Sequence, residues 1–361
     1  MTAATATPPV AVRADHGRLA GLDGVRGLAM AMVFFHHVII RVQDPIVNGA
    51  WVSVDLFYVL SGFLITMSML GDPDRLDSFL RRRFWRIAPA MVVFLLVYVL
   101  WSLGAEDVDQ RMSWAFAAAT QWANVQGAIG PPFSPHIGHL WSLSAEVQFY
   151  VLWGVCLWWM LRRRWPRPVI LGLLLVLFVL SWAERALLLD RGSLWNRLYL
   201  APDTRAAGLL LGCVLGLAYA WGWLRFRRTL WVLTIPAAAF TLWFVVELTF
   251  LDARVYRWGL TVAALSWGVL VAGAALRLPT PVRPLLELPP LVWLGRVSYS
   301  VYLYHLAIIA EVAETRPNDP VGVALIAVPL TLVIGCASYL LVERPLLSSA
   351  SRARLRARFA G

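Results

Sequence analysis

In the stretch "GVRGLAMAMVFFHHV", residues 24–38, an otherwise apolar run carries an arginine near its start and two adjacent histidines near its end. Arg26 and His37 are eleven residues apart. At ~100° per residue that is three turns plus ~20°, so on a helix they share one face and lie roughly 16 Å apart. An anion-binding group and a group able to take up a proton are thereby set at two depths of one helix. A snorkelling interfacial anchor also accounts for Arg26, and a hydrogen-bonded core histidine for His37. His36 points ~100° away and reads as the structural member of the pair.

Three further patterns carry chemistry. Asp55 stands about one turn into "WVSVDLFYVLSGFLIT", where a carboxylate needs a histidine or arginine partner. A carboxylate that orients an imidazole is the usual second half of a general base, and a purely structural ion pair is the alternative. His139, Ser142 and Glu146 in "HLWSLSAEVQFY" follow i, i+3, i+7, while Ser298, Tyr302 and His305 follow i, i+4, i+7. Two polar stripes on two apolar helices point to one shared cavity. Finally, "FLRRRFWRIAPA" groups Arg81, Arg82, Arg83 and Arg86. These serve either as topology signals or as a phosphate clamp through charge-assisted hydrogen bonds.

The elements that must position these groups are membrane helices. The 361 residues are 60% hydrophobic and only 15% charged, below the roughly 25% of soluble domains. Runs of about 20 apolar residues recur along the chain, and a soluble α/β fold is excluded. Ten spans are predicted, at 25–42, 50–70, 84–104, 140–161, 168–189, 203–222, 229–249, 257–276, 291–313 and 321–343. Arginine-rich gaps ("RRRWPRP", "RFRR") alternate with acidic or balanced ones ("GAEDVDQR", "LDARVYR"), which puts both termini in the cytoplasm. The long gap 105–139 is then external, with "RMSWAFAAATQWANV" as an interfacial or half-inserted helix.

The expected organisation is an all-α polytopic bundle at residues 21–346, with a disordered cytoplasmic tail at 1–20 and a basic cytoplasmic tail at 347–361. The net charge of +11 is carried by arginines in short loops, so no nucleic-acid partner is expected. Cys156, Cys213 and Cys336 stand at unrelated spacings inside apolar runs and indicate neither a disulfide framework nor a metal site.

Together these segments resemble the acyltransferase-3 family of integral membrane O-acyltransferases over about residues 20–346. The arginine, ten residues and histidine that open the family fit Arg26 and His37. "VDLFYVLSGFLIT" follows, then Arg82, Arg83, Arg86 and Pro89, "HLWSLSAEVQFY", "TRAAGLLLG" with Arg205, "LGRVSYSVYLYH" and "VERP", all in family order. Many members have two acids after the Ser-Val of the fourth-span motif; here Glu146 is followed by Val147, which makes Glu146 the acid to favour. The sequence ends at residue 361 without the hydrolase-like domain fused to some members, so the membrane domain itself is expected to recognise the acceptor.

The resemblance implies an acyl-CoA donor, acetyl-CoA foremost, with its phosphates on Arg82, Arg83 and Arg86 and with Arg26 nearby. The pantetheine arm would run into the bundle toward His37 as general base, with Asp55 or Glu146 orienting the imidazole. His139, Ser142, Arg205, Tyr302 and His305 would bind substrate, and no metal is called for. The acceptor hydroxyl would belong to a cell-envelope glycan, a lipid-linked sugar or a secreted natural product, and the protein would lie in the plasma membrane with the lipid bilayer as its surroundings. A proton-coupled transporter or flippase is the alternative, since buried Arg, Asp, Glu and His in such a bundle suit that role too.

Overall fold

A computed structural model describes residues 19–39, 49–72, 75–130, 134–317 and 319–347. The tails expected at 1–20 and 347–361 lie outside the described residues but for Leu19, Ala20 and Leu347. Among the described residues there is no strand; the chain is an all-α bundle. In chain order the helices are α1 (Ala20–Ile39), α2 (Ser53–Leu70), α3 (Leu76–Ser102), α4 (Val108–Ala119), α5 (Ala123–Ile129), α6 (Leu140–Arg162), α7 (Arg167–Asp190) and α8 (Trp195–Leu200). They continue with α9 (Pro202–Ala220), α10 (Arg227–Glu247), α11 (Leu260–Ala275), α12 (Arg283–Leu286), α13 (Pro289–Thr315), α14 (Pro320–Ser338) and α15 (Arg344–Leu347).

Each predicted span coincides with a long helix. Eight helical stretches among the described residues are long and apolar enough to cross a membrane. The two expected spans missing from that set, α1 and α13, have 20 and 27 residues. Their length suffices, but α1 carries Asp23, Arg26, His36 and His37, and α13 carries Arg296 and His305. The two helices least like membrane spans are thus those that carry His37 and His305.

The third span begins earlier than its hydropathy suggests. α3 starts at Leu76, so Arg82 and Arg83, ahead of the expected span at 84–104, stand on the same helix as Arg86. Arginine is a good helix former and its aliphatic stem packs along apolar surface, so a run of arginines does not end a helix. In the expected external gap, α4 and α5 are too short to span and bury Trp114, Ala118 and Ala123.

Helix α2 sits at the centre and α10 at the rim: 72% of the apolar stretch containing α2 is buried, against 17% for α10. The outward faces of α3, α7, α10 and α14 expose Leu96, Leu180, Val232 and Val333, side chains that suit a hydrocarbon solvent. Two close helix crossings hold the centre together. α2 and α9 meet backbone to backbone, and a Cβ on Gly212 would lie 2.1 Å from the Val59 carbonyl oxygen. α1 and α13 meet as closely, with a Cβ on Gly295 placed 1.8 Å from the Asp23 carbonyl oxygen. Only glycine allows such approaches, which supply the van der Waals contact that associates helices in lipid.

Arg185 of α7 is a further buried cation, and it fastens the bundle. Its guanidinium donates to the Tyr256 and Thr204 carbonyls, both at 2.9 Å, and to Thr261 Oγ1 at 2.6 Å.

Candidate active site

The α1–α13 crossing brings His37 and His305 together. His305 Nδ1 lies 2.6 Å from the carbonyl of Tyr302, one turn back on the same helix, and His37 Nδ1 lies 3.0 Å from the carbonyl of Val33. A carbonyl only accepts, so both Nδ1 atoms carry hydrogen. His305 Nε2 then holds a lone pair, 3.3 Å from His37 Nδ1, and the His37 proton is shared between Val33 and His305. This fixes one tautomer of His37, in which Nε2 is the nitrogen able to take up a proton.

His139, immediately before α6, completes the group. Its ring stands 4.7 Å from that of His305 and 5.0 Å from that of Tyr302. The Tyr302 hydroxyl lies 2.6 Å from Ser142 Oγ, and both hydroxyls donate toward the His139 carbonyl, at 2.9 and 3.2 Å.

Tyr302 stands where two cavities meet. One is bordered by Arg26, Arg83, Arg86, Glu146, Ser142 and Ser298; the other by His36, His37, His139 and a set of aromatic side chains. Val54 and Tyr302 line both. Helix α1 therefore presents Arg26 to one cavity and His37 to the other. The histidine-side cavity encloses about 390 Å³, inside the ~300–1,000 Å³ range of small-molecule sites.

In the first cavity three guanidinium groups face one carboxylate. Arg26 is 4.0 Å from Asp23, and Arg83 lies over the Phe79 and Tyr150 rings at 5.8 and 5.5 Å. Ser61 and Tyr150 both donate to Glu146. Arg82 is not among the lining residues. It turns toward Asp72, 3.9 Å away, and Ser78. Of the arginines expected to form a phosphate clamp, Arg83 and Arg86 line this cavity together with Arg26, and Arg82 does not. Positions 82 and 83 are consecutive on α3 and point ~100° apart, so one cavity does not receive both.

The carboxylates expected to orient the base are engaged elsewhere. Asp55 Oδ2 lies 3.0 Å from Arg205 Nη2, both side chains being almost fully buried. Glu146 is taken up by Ser61 and Tyr150. The Val33 carbonyl and His305 are among the contacts of His37, both at Nδ1. A buried guanidinium without a counter-charge is strongly destabilising, which accounts for the commitment of Asp55. Arg205 also packs over the rings of Tyr199, Trp141 and Tyr58 at 4.6, 5.7 and 5.8 Å. It lines neither cavity, although it was expected to bind substrate.

Sequence reasoning missed the aromatic wall of the histidine-side cavity: Trp51, Trp141, Tyr199 and Phe250. In a chain with 19 tryptophans, single aromatics give no signal. It also missed Ser61 and Tyr150. Tyr150 was open to detection, being one turn beyond Glu146 on α6.

Among the described residues one grouping could hold a metal ion: His136, Glu311 and Glu314, whose ligand atoms lie within 4.8 Å of one another. His136 Nε2 is 3.2 Å from Glu311 and 3.8 Å from Glu314, as in an ordinary ion pair, and none of the three lines either cavity.

The family described as "Acyltransferase domain" matches residues 19–340. A curated relative, the peptidoglycan O-acetyltransferase OatA of Listeria monocytogenes, is 30% identical over 353 residues, covering 90% of this chain and 55% of that protein. The O-acetyltransferase OatA of Staphylococcus aureus is 30% identical over 361 residues, covering 91% and 57%. The putative peptidoglycan O-acetyltransferase YrhL of Bacillus subtilis is 28% identical, covering 92% and 55%. The chain thus spans just over half the length of the curated relatives it matches. No solved structure matches it.

Proposed function

Because the chain belongs to the acyltransferase-3 family of integral membrane proteins, we propose that it is an O-acyltransferase that moves an acyl group, acetyl foremost, from acyl-CoA to a hydroxyl of an envelope carbohydrate. The observation that carries this reading is the course of α1, which presents Arg26 to one cavity and His37 to the next, with Tyr302 between. The curated relatives act, by name, on peptidoglycan, and that substrate class is carried over here as part of the proposal.

In this account the donor's phosphates rest on Arg83 and Arg86 on the cytoplasmic side, with Arg26 deeper in the same cavity. Guanidinium groups are apt for this because each presents a planar fork of donors to phosphate oxygens. The pantetheine arm passes Tyr302 and delivers the thioester toward the histidine cluster. His37 Nε2 takes the proton of the acceptor hydroxyl as that oxygen attacks the thioester carbonyl. The carbon–sulfur bond breaks, and the departing thiolate recovers the proton from the His37 imidazolium. Ester and free coenzyme A thiol result, with charge and protons balanced. A positioned general base contributes about 10²–10⁴ in rate, and His305 keeps the base in its reactive tautomer.

The test is sidedness with chemistry. In sealed inverted vesicles, labelled acetyl-CoA added outside, which is the cytoplasmic face, should label an oligosaccharide trapped within. The same donor added to right-side-out vesicles should not. Equal labelling in both orientations, or none in either, would defeat the reading.

A further inference from the structure

The histidine-side cavity has a lining that the acyl-transfer chemistry does not explain. Trp51, Trp141, Tyr199 and Phe250 border it, and they also pack on one another: Trp141 on Tyr199 at 4.9 Å, Trp51 on Tyr199 at 5.2 Å and on Phe250 at 5.5 Å between ring centroids. The same cavity is lined by three buried side chains that each hold a polar atom without a hydrogen-bond partner. They are Trp51 Nε1, Ser53 Oγ and His36 Nδ1. These residues are 3%, 0% and 8% exposed, and the His139 ring, 2% exposed, stands beside them.

Buried polar atoms are ordinarily paired, and a group of unpaired ones around a cavity calls for a ligand that carries its own donors and acceptors. Broad aromatic planes beside them call for a ligand with an apolar face. A pyranose ring meets both demands, since its axial C–H bonds form an apolar face and its hydroxyls point outward around the rim. An open-chain polyol has the hydroxyls without the face. A hydrocarbon ring has the face without the hydroxyl array.

We propose that this cavity is a saccharide subsite in which one pyranose ring of the acceptor lies against the Trp141–Tyr199 wall, while Trp51 Nε1, Ser53 and His139 read its hydroxyls. The proposal rests on the acyltransferase reading and deepens it by assigning the acceptor's binding residues. Asp55 and Arg205 enter as positioning residues: the Arg205 guanidinium lies 4.6 Å from the Tyr199 ring and 5.7 Å from that of Trp141, and Asp55 holds the guanidinium from behind. That ion pair sets the aromatic wall without touching the sugar.

The experiment measures equilibrium binding to the full chain in nanodiscs, read from tryptophan fluorescence. The probes are chitotetraose, cellotetraose and maltotetraose, with sorbitol and cyclohexanol as controls for hydroxyls without a ring and a ring without hydroxyls. At least one tetrasaccharide should bind saturably and about tenfold or more tighter than either control. Trp141→Ala should lose about tenfold or more of that affinity, as removal of a central aromatic anchor does, and Trp141→Phe, which keeps an aromatic plane and guards against a folding defect, should retain most of it. The proposal is overturned if no tetrasaccharide binds, if a control binds as tightly as the best of them, or if Trp141→Ala binds unchanged. Acetyl-CoA binding measured on the same samples separates the two claims. Donor binding without saccharide binding removes this subsite alone, whereas absence of donor binding in the parent protein counts against the acyltransferase reading.

Discussion

His305 Nε2 stands 3.3 Å from His37 Nδ1, and each imidazole is anchored to a carbonyl of its own helix. The pair makes His305 the residue that orients the proposed base. Replacing His305 by Ala should lower kcat by about 10²-fold, the scale of a small misplacement of a reacting group, with little change in donor KM. His305→Gln, whose amide oxygen can still accept from His37 Nδ1, should recover part of the loss. Equal kcat for both variants and the parent would remove His305 from the mechanism, and a fall in folded yield without a kcat effect would make it structural.

Arg82, Arg83 and Arg86 of α3 should divide by direction. Arg83→Ala and Arg86→Ala should each weaken acetyl-CoA binding by about 10–150-fold, the equivalent of ~1.5–3 kcal/mol for a hydrogen bond to a charged group. Arg82→Ala should leave it within about twofold, because its guanidinium turns to Asp72, a partly exposed pair worth ~0–1 kcal/mol. Titration of purified protein with acetyl-CoA checks this. No effect of any of the three would return the cluster to topology signals, and an equal loss at all three would restore the clamp that includes Arg82.

Asp55 and Arg205 should behave as one structural unit. Asp55→Asn or Arg205→Leu leaves a buried charge without its partner, a loss of ~3–5 kcal/mol that thermal unfolding in detergent should register. Replacing both by apolar residues should regain part of that stability. If Asp55→Asn instead abolished acyl transfer with stability and saccharide binding both unchanged, Asp55 would belong beside the base after all.

Gly295 lets α13 approach α1 closely at the Asp23 end of the crossing that also carries the two histidines. A Cβ there would meet the Asp23 carbonyl at 1.8 Å, so Gly295→Ala must push α13 away from α1. Overpacking of this kind costs ~1–3 kcal/mol or more. We expect both lower stability and a kcat defect larger than the remaining folded fraction explains. A variant with normal activity per folded molecule would show that the crossing is not what positions His305.

Most of the fold was legible in the sequence because burial in lipid imposes long apolar runs whatever the tertiary arrangement. The start of α3 was not, since an arginine run reads equally as a loop and as a helix end whose side chains snorkel. Gly208, Gly212 and Gly216 in "GLLLGCVLG" recur at four-residue spacing, which marks one face for close helix crossing, and α2 is the helix that meets it. The pairings at the site were out of reach for another reason. Arg205 and Asp55 are 150 residues apart, and His305 and His37 are 268 apart. Periodicity shows which face of a helix a residue shares, and tertiary packing alone decides which partner meets that face. Hence the carboxylates looked like the natural orienters of His37, while the histidine that makes the contact looked like a substrate ligand.

The central claim is that His37 takes the acceptor's proton. Its most direct measurement is single-turnover transfer of labelled acetate from acetyl-CoA by His37→Gln beside the parent protein, at matched folded yield and saturating donor. Glutamine keeps polarity and much of the volume but takes up no proton. The account predicts a fall of about 10²–10⁴ in rate, with acetyl-CoA affinity unchanged because the donor phosphates bind at the Arg83 and Arg86 end. Equal rates for His37→Gln and the parent would contradict it.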